Sequence, residues 1–472
     1  MKTKKFTMTE TKKLHVALFP WLAFGHIIPY LKVAKHIAQK GHKISFISTP
    51  RNIQRLPKIP PNLSSDIHFI SLPLPQVDNL PPHAEATMDI PTNKTPYLKI
   101  AYDGLKEPLF QFLKTSAPDW IIYDFAAHWL PPITSDLGIS SAYLSIFSAW
   151  TITFLASSSS ALINGDDERT RPEGFTVPPK WVPFPSKVAY RIHEAKRAFE
   201  HFEVNDSGLS DMYRLGTVMA AVDVLAVRSC FELEADHLKL FEQLHGKPVL
   251  PIGLLPPSDL DVTGGDDETW LKICGWLDKQ NKGSVIYIAF GSESEVNQKD
   301  LNELALGLEL SGLPFFWTLR KQGNSFELPD GFEERVKGRG IVWTSWVPQL
   351  RILGHESVGG FLTHCGFSSI IEALNFGLAL ILFPVSIDQG LNARVLEEKK
   401  LGVEVKRNEQ DGSFTKESLA ESLMLVMDNE KGKLYRESAN EMRKLITNRD
   451  VHNGCIDQFI EFLQTHRVGS RE

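Results

Sequence analysis

Cysteine is scarce in this 472-residue chain: Cys230, Cys274, Cys365 and Cys455 are the only four, they lie far apart, and no C-x-x-C pair occurs. That excludes a disulfide framework and the common zinc and redox motifs, and it points to a reducing compartment. Charge of one sign is also missing. Lys and Arg number 51 against 57 Asp and Glu, a formal charge of −6 with no large one-signed block. This argues against a general binder of nucleic acid or of anionic membranes. No apolar run reaches the ~20 residues that span a bilayer. The longest, near Leu374 to Ile387, contains Asn375 and Pro384. The first apolar stretch, Leu14 to Phe24, is broken by His15 and Pro20 and is too short and badly placed for a secretion signal. Without such a signal, the Asn-x-Ser/Thr matches at Asn62, Asn93 and Asn205 carry little weight. Pro (29) and Gly (32) are near average, so neither disorder nor collagen is expected. A soluble, cytoplasmic protein follows, with no transmembrane segment and no nucleic-acid partner; a monomer is expected.

Several catalytic signatures are absent as well. There is no G-x-x-x-x-G-K-[S/T] loop, and Pro20 to Gly25 stands where a G-x-G-x-x-G would follow the first strand, which disfavours a nicotinamide enzyme. His355-Glu356 lacks the second His of a zincin helix, and no G-x-S-x-G elbow occurs. Cys365 has no base partner legible in the sequence and reads as a buried small hydrophobe.

What is present is a repeated βα alternation. His15 to Phe19 reads as a short buried strand. From Ile27 onward Ile28, Leu31, Ala34 and Ala38 recur at helical spacing, with Pro29 in the first turn and Gly41 as the stop, and Lys43 to Ser48 reads as a second strand. Strand candidates follow at Trp120 to Tyr123, Ser141 to Ile146 and Val222 to Val227. Residues 160–215, with Asp166-Asp167-Glu168 and the Pro-rich run Pro178 to Pro185, read as a functional loop or lid. Composition shifts at residues 253–268, a linker, after which Ser284 to Phe290, Phe315 to Leu319, Gly340 to Trp343, Gly360 to Thr363 and Ala379 to Phe383 read as strands and Asp300 to Leu310 as an amphipathic helix. At roughly 100–200 residues per domain, the length fits this division. The class is α/β: two Rossmann-like domains, 1–252 and 269–450, with parallel sheets facing across a cleft.

In open parallel sheets, ligands sit at the carboxyl ends of strands. His26 falls just after the first strand and just before its helix, where an imidazole serves as a general base or simply as a loop or capping residue. Asp124 ends the run Trp120-Ile-Ile-Tyr, where it caps the next helix or accepts the Nδ1 hydrogen of His26, as in a Ser-His-Asp triad with a substrate hydroxyl in place of serine. His364-Cys365-Gly366 leads into a helix beginning at Ser368, a turn suited to phosphate or a plain βα turn. Ser368 and Ser369 add donors, Glu372 could bind ribose hydroxyls, and Phe290-Gly291-Ser292 could approach the same phosphates.

Trp346-Val-Pro-Gln349, His355, Gly359, His364-Cys-Gly366, Ser369, Glu372, Gly377, Pro384 and Asp388-Gln389-x-x-Asn392 together resemble the sugar-nucleotide signature of plant family-1 UDP-glycosyltransferases. The resemblance spans essentially the whole chain. Phe19 to Tyr30 and Ile47 to Asn52 resemble a narrower branch that includes UDP-rhamnose:rhamnosyltransferases and sugar-extending enzymes. It implies a GT-B fold, a last helix (about residues 451–466) crossing back to the N-terminal domain, an acceptor site mainly in that domain, and a donor site mainly in the other. It further implies inverting transfer with no metal and no cofactor, UDP-sugar being a co-substrate. His26 matches the family's catalytic base and Asp124 its partner. Trp346 would stack on uracil and Val347 contact the base through its backbone. Gln349 and Glu372 would hold the ribose. His364, Ser369, Ser292, Gly366 and Ser368 would surround the diphosphate, and Asp388 and Gln389 would hold sugar hydroxyls.

The chain departs from that pattern at Phe367-Ser368, where most members have Trp-Asn, and at Leu378-Ala379. A nucleotide-sugar-binding protein with weak or no catalysis is therefore the alternative to an enzyme. Where many members place a Thr near the sugar's 6-hydroxyl, this register falls on Ile146 beside Phe147; a small change of alignment brings Ser145 or Ser148 there instead. An apolar contact suits a 6-deoxy sugar, because a buried hydroxyl without a partner costs about 1–3 kcal/mol. UDP-rhamnose is thus expected ahead of UDP-glucose, with the acceptor a hydroxyl of a small plant metabolite or its glycoside.

Overall fold

A computed structural model describes residues 13–258, 267–291, 296–319 and 327–467. Seven strands, β1 (His15–Phe19), β2 (Lys43–Ser48), β3 (Ile67–Ser71), β4 (Trp120–Tyr123), β5 (Ser140–Ser145), β6 (Val224–Val227) and β7 (Val249–Pro251), form one sheet in the order β3-β2-β1-β4-β5-β6-β7. Six more, β8 (Val285–Ala289), β9 (Phe315–Thr318), β10 (Gly340–Trp343), β11 (Val358–Thr363), β12 (Ala379–Leu382) and β13 (Gly402–Glu404), form a second in the order β10-β9-β8-β11-β12-β13. Every pairing is parallel.

Both faces of each sheet are covered, which is why the strands read as nearly unbroken apolar runs. On β1, Val16 and Leu18 point to one core and Ala17 and Phe19 to the other. The first of these cores is closed by the helix Phe24–Gln39 and by the C-terminal helix Arg449–Thr465, whose Ile456, Phe459, Ile460 and Leu463 lie against the first sheet. Trp120 Nε1 donates to the Leu463 carbonyl at 2.7 Å. The chain's last helix thus returns to its first domain, although the second sheet lies between them in sequence. No helix among the described residues is long and apolar enough to cross a membrane.

Several elements differ from the sequence reading. The first helix begins at Phe24, so Pro29 is its sixth residue and His26 lies inside the helix, in its first turn, instead of preceding it. A proline there removes one interior N–H bond, and the burial of Ile27, Tyr30, Leu31 and Val33 holds the helix regardless. Strands β3, β7 and β13 have no counterpart in the reading; two of them are only three residues long. Of the linker 253–268, residues 259–266 lie outside the described residues, and Ser292 does too. Residues 160–215, read as loop or lid, carry the helices Ser159–Asn164, Ile192–Glu200 and Asp211–Ala221.

Part of that stretch joins the two domains. Phe154, Phe175, Tyr190, Ala195 and Ala198 share one apolar core with Tyr287, Phe361 and Leu391 of the second domain. Around it, Arg191 grips Glu404 through Nε and Nη2 at 2.9 and 3.1 Å, Arg394 bonds Glu404 at 2.7 Å and also Glu194, and Arg197 Nη1 reaches the Val385 carbonyl at 2.7 Å. The Arg191–Glu404, Glu194–Arg394 and Arg197–Val385 partners lie 213, 200 and 188 residues apart in sequence, so no local pattern announces them.

Phe459 is fully buried, and Phe459→Ala should destabilise the protein by about 3–5 kcal/mol, whereas Gln458→Ala on the exposed face should stay within ~0.5 kcal/mol. Urea unfolding followed by tryptophan fluorescence measures both. Equal midpoints for the two variants would contradict the docking of this helix.

Candidate active site

The order of each sheet reverses once, between β1 and β4 and between β8 and β11. At such a switch the connections leave to opposite sides and open a crevice at the carboxyl ends of the strands. Phe19 pairs with Tyr123 at the end of β1 and β4, which sets Asp124 beside the chain leading into the first helix. Asp124 is buried, and His26 Nδ1 lies 2.7 Å from its Oδ2. The carboxylate also accepts the backbone N–H of Trp21 at 3.1 Å and of Phe125 at 2.8 Å. Two main-chain donors hold it in place, and its remaining capacity orients the imidazole. With Nδ1 carrying the hydrogen toward Asp124, Nε2 is the nitrogen able to take a proton.

The surroundings of His26 are apolar. Phe125 and Phe147 lie 6.0 and 5.8 Å from its ring, and Trp21 meets Phe125 edge-on. Phe125 and Phe147 are therefore at the site, whereas Phe154 is buried against Tyr190 and under the Arg169 guanidinium.

At the second switch, Thr363 pairs with Ala289, which places Gly291 and the turn His364-Cys365-Gly366 at one edge. Gly366 precedes the helix Phe367–Asn375, so Ser368 and Ser369 sit in its first turn among amide groups that lack intrahelical acceptors. The His364 ring nests between two glycines: a Cβ at Gly291 or Gly366 would come within 2.8 or 2.4 Å of its Nε2, and Gly291 also has φ +77. Burial pushes the His364 pKa down to about 4, so the ring is a neutral imidazole that offers one N–H. Cys365 is fully buried and its thiol is pushed far up by the loss of solvent, which fits a packing role.

Of the other residues of the resemblance, Asn392 bonds this turn directly, whereas His355 lies at the opposite end of β11. Trp346 is 58% exposed, a flat aromatic face open to stacking, while Val347 is buried. Gln349 Nε2 donates to Glu372 at 2.7 Å and its Oε1 accepts from Tyr287, a chain that fixes the Glu372 carboxylate. Asp388 accepts from Asn392 Nδ2 at 2.9 Å. Gln389 is turned inward: its Oε1 accepts from the Val385 and Ser386 amides and its Nε2 donates to Ser386, capping its own helix. One amide hydrogen of Gln389 remains for a ligand.

Two residues that the sequence reading passed over, Arg228 and Trp150, also reach this region. Arg228 follows β6 and bonds Ser368; Trp150 Nε1 donates to Asn392 at 2.8 Å and meets Phe367 edge-on; Asn392 in turn donates to the Cys365 carbonyl. Arg228 carried the same signal as Asp124, a charged residue directly after an apolar strand. Among the described residues, only Cys274, Asp278 and His355 gather three potential metal-ligand atoms. They lie at the opposite end of β11 from His364, one whole strand away from the turn.

The geometry can be set beside known proteins. Residues 274–469 match the family model described as UDP-glucoronosyl and UDP-glucosyl transferase. The chain is 50% identical over 464 residues to UDP-glycosyltransferase 91A1 of Arabidopsis thaliana, covering 96% of this chain and 97% of that one. It is 44% identical over 472 residues to the soyasaponin III rhamnosyltransferase of Glycine max, with 98% of each covered. In fold it is similar to Medicago truncatula UGT71G1 complexed with UDP-glucose, at a TM-score of 0.77 and 22% identity over 96% of this chain and 99% of that one.

Gly366→Ala should drive the His364 ring out of its slot and weaken UDP binding by roughly tenfold, about 1.4 kcal/mol, in titration calorimetry. Unchanged affinity in a folded variant would remove His364 from the binding turn.

Proposed function

Because the chain belongs to the plant UDP-glycosyltransferases, we propose that it transfers rhamnose from UDP-rhamnose, with inversion and without a metal, to a hydroxyl of a small plant metabolite or its glycoside. The observation that carries the chemistry is the 2.7 Å contact between His26 and a buried, backbone-anchored Asp124. The acceptor hydroxyl gives its proton to His26 Nε2 as its oxygen bonds the sugar's C1. Asp124 stabilises the imidazolium that results. The bond from C1 to the diphosphate breaks, and its electron pair stays on the phosphate oxygen. Attack from the first domain on a donor held by the second gives inversion.

The leaving charge needs stabilisation, and the second switch point supplies it. The helix beginning at Phe367, the hydroxyls of Ser368 and Ser369 and the neutral His364 present donors to a diphosphate. Trp346 receives the uracil, Val347 its edge, and Glu372, braced by Gln349, the ribose. Asp388 and the remaining Gln389 hydrogen take the sugar hydroxyls. The apolar wall formed by Trp21, Phe125 and Phe147 suits a hydrophobic acceptor and keeps water from the donor.

Rhamnose is favoured over glucose by the residues at the end of β5 and just after it. Ser145 and Ser148 are buried and engaged internally, Ser145 with the Phe147 carbonyl at 3.1 Å and Ser148 with Thr151 at 2.9 Å, as the cap of its helix. Half-buried Ile146 and Phe147 are left as the side chains of that loop, and neither offers a partner to a 6-hydroxyl. The likeness to a soyasaponin III rhamnosyltransferase points the same way.

His26→Ala should lower turnover by ~10²-fold or more while leaving UDP affinity nearly intact; full turnover would end the assignment. In a paired donor assay with mass detection of product, kcat/KM should be higher for UDP-rhamnose than for UDP-glucose. The reverse order would overturn the donor assignment and leave the transferase chemistry standing.

A further inference from the structure

Arg228 has no part in the chemistry derived so far. It is 3% exposed and lies at the carboxyl edge of the first sheet, one residue past β6. Its Nε donates to the Leu254 carbonyl at 2.9 Å, and its Nη1 crosses to the second domain and donates to Ser368 Oγ at 2.7 Å. The guanidinium carbon stands 5.3 Å from the centroid of the Phe367 ring. On another side of that ring the Trp150 indole packs edge-on at 5.8 Å, with the Trp150 backbone N–H donating to the buried Glu234 at 2.8 Å. Phe367 and Ser368, which depart from the family pattern, are thus both held by side chains of the first domain.

Two features of Arg228 point to an anion. The first is charge. Burial lowers its pKa only to about 10, so it is cationic at neutral pH. The charge of Glu372 acts on it and favours the protonated guanidinium. A buried guanidinium set against the positive end of the helix Phe367–Asn375 is costly by itself and is relieved by negative charge placed at that end. The second feature is the sense of the hydrogen bond. Arginine has no acceptor, so Ser368 Oγ must accept from Nη1, and the hydroxyl hydrogen is left to point elsewhere.

We propose that Arg228 is a positioning residue for the departing diphosphate: it turns the Ser368 hydroxyl so that its hydrogen meets a phosphate oxygen, and its charge supports the leaving group from the opposite domain. The inference rests on the placement of the diphosphate at the turn before Phe367. As C1 bonds the acceptor oxygen and parts from the diphosphate, the electron pair goes to the phosphate and the acceptor proton to His26. Negative charge therefore grows where Ser368 points, and a donor aimed there lowers the barrier more than it tightens ground-state binding. Since Arg228 and Ser368 belong to different domains, the donor is oriented only when the two are docked.

The test compares Arg228→Met, Arg228→Lys, Ser368→Ala and the Met/Ala double variant for kcat, KM for the UDP-sugar and melting temperature. Arg228→Met should lower kcat by ~10²-fold with KM changed less than ~3-fold. Arg228→Lys should recover part of the loss, and the double variant should be no slower than Arg228→Met alone, since both act through one hydroxyl. Should the Met variant fail to fold, Ser368→Ala still decides: its loss must lie in kcat. Unchanged kcat in that variant, a loss confined to KM, or losses that multiply in the double variant would overturn the proposal. The assignment of His26 as base fails separately, on the His26→Ala turnover.

Discussion

The carboxylate of Asp124 is where the main chain of the first domain and the His26 imidazole meet. Oδ2 accepts from Trp21 N–H and lies 2.7 Å from His26 Nδ1, while Oδ1 accepts from Phe125 N–H. These partners come from the loop after β1, the first turn of the following helix, and the loop after β4. They converge because β1 and β4 are neighbours whose last residues, Phe19 and Tyr123, are in register. A buried carboxylate is tolerable only when its lone pairs are used, and here backbone donors use much of them before the imidazole arrives. The orientation of His26 is thus a property of the sheet. Removing the carboxylate would free the loop Pro20–Ala23 as well as the ring.

The second domain repeats the device with a different ligand class in view. Its reversal of strand order sets His364 next to Gly291 and starts the helix at Phe367 beside them, against the first domain. In the proposed function one switch point would provide the base and the other a sink for negative charge, and group transfer needs the two face to face. That relation is maintained by a shared apolar core and by the Arg191, Glu404, Arg394 and Glu194 cluster around it. Surface ion pairs contribute little alone, but Glu404 and Arg394 are largely buried and bonded to more than one partner. Such a network specifies how the domains sit more than how tightly they hold.

How much of this could be read in the residues follows from range. Asp124 was legible because a polar residue directly after an apolar strand must lie at a carboxyl edge, His26 because it falls where the first strand gives way to its helix, and the long run from Trp346 to Asn392 carries its own spacing. The start of the first helix was not, because Pro29 draws the eye to a boundary that tertiary burial overrides. The short strands β7 and β13 have too few residues to show a period. Residues 160–215 read as loop because their polar and Pro-rich content is judged against water, whereas Arg191 and Arg197 face groups of the second domain. Gln389 shows the opposite limit: the residue type was noticed, and only geometry reveals that its amide caps its own helix.

Phe367 and Ser368 carry the last step of the argument. Taken alone they are losses, a smaller aromatic and a shorter donor where the family pattern has Trp-Asn. In the fold they are halves of contacts whose other halves, Trp150 and Arg228, come from the facing domain. A short side chain at position 368 leaves room for a guanidinium to enter, and a hydroxyl is the group that can accept from it and still donate onward. A carboxamide there would also accept, but through one atom while donating through another, so the direction of its hydrogens would not follow from the arginine in the same way. The proposed donor site is therefore shared between domains, and substitutions in it are interpretable only together with the residues that reach it from across the cleft.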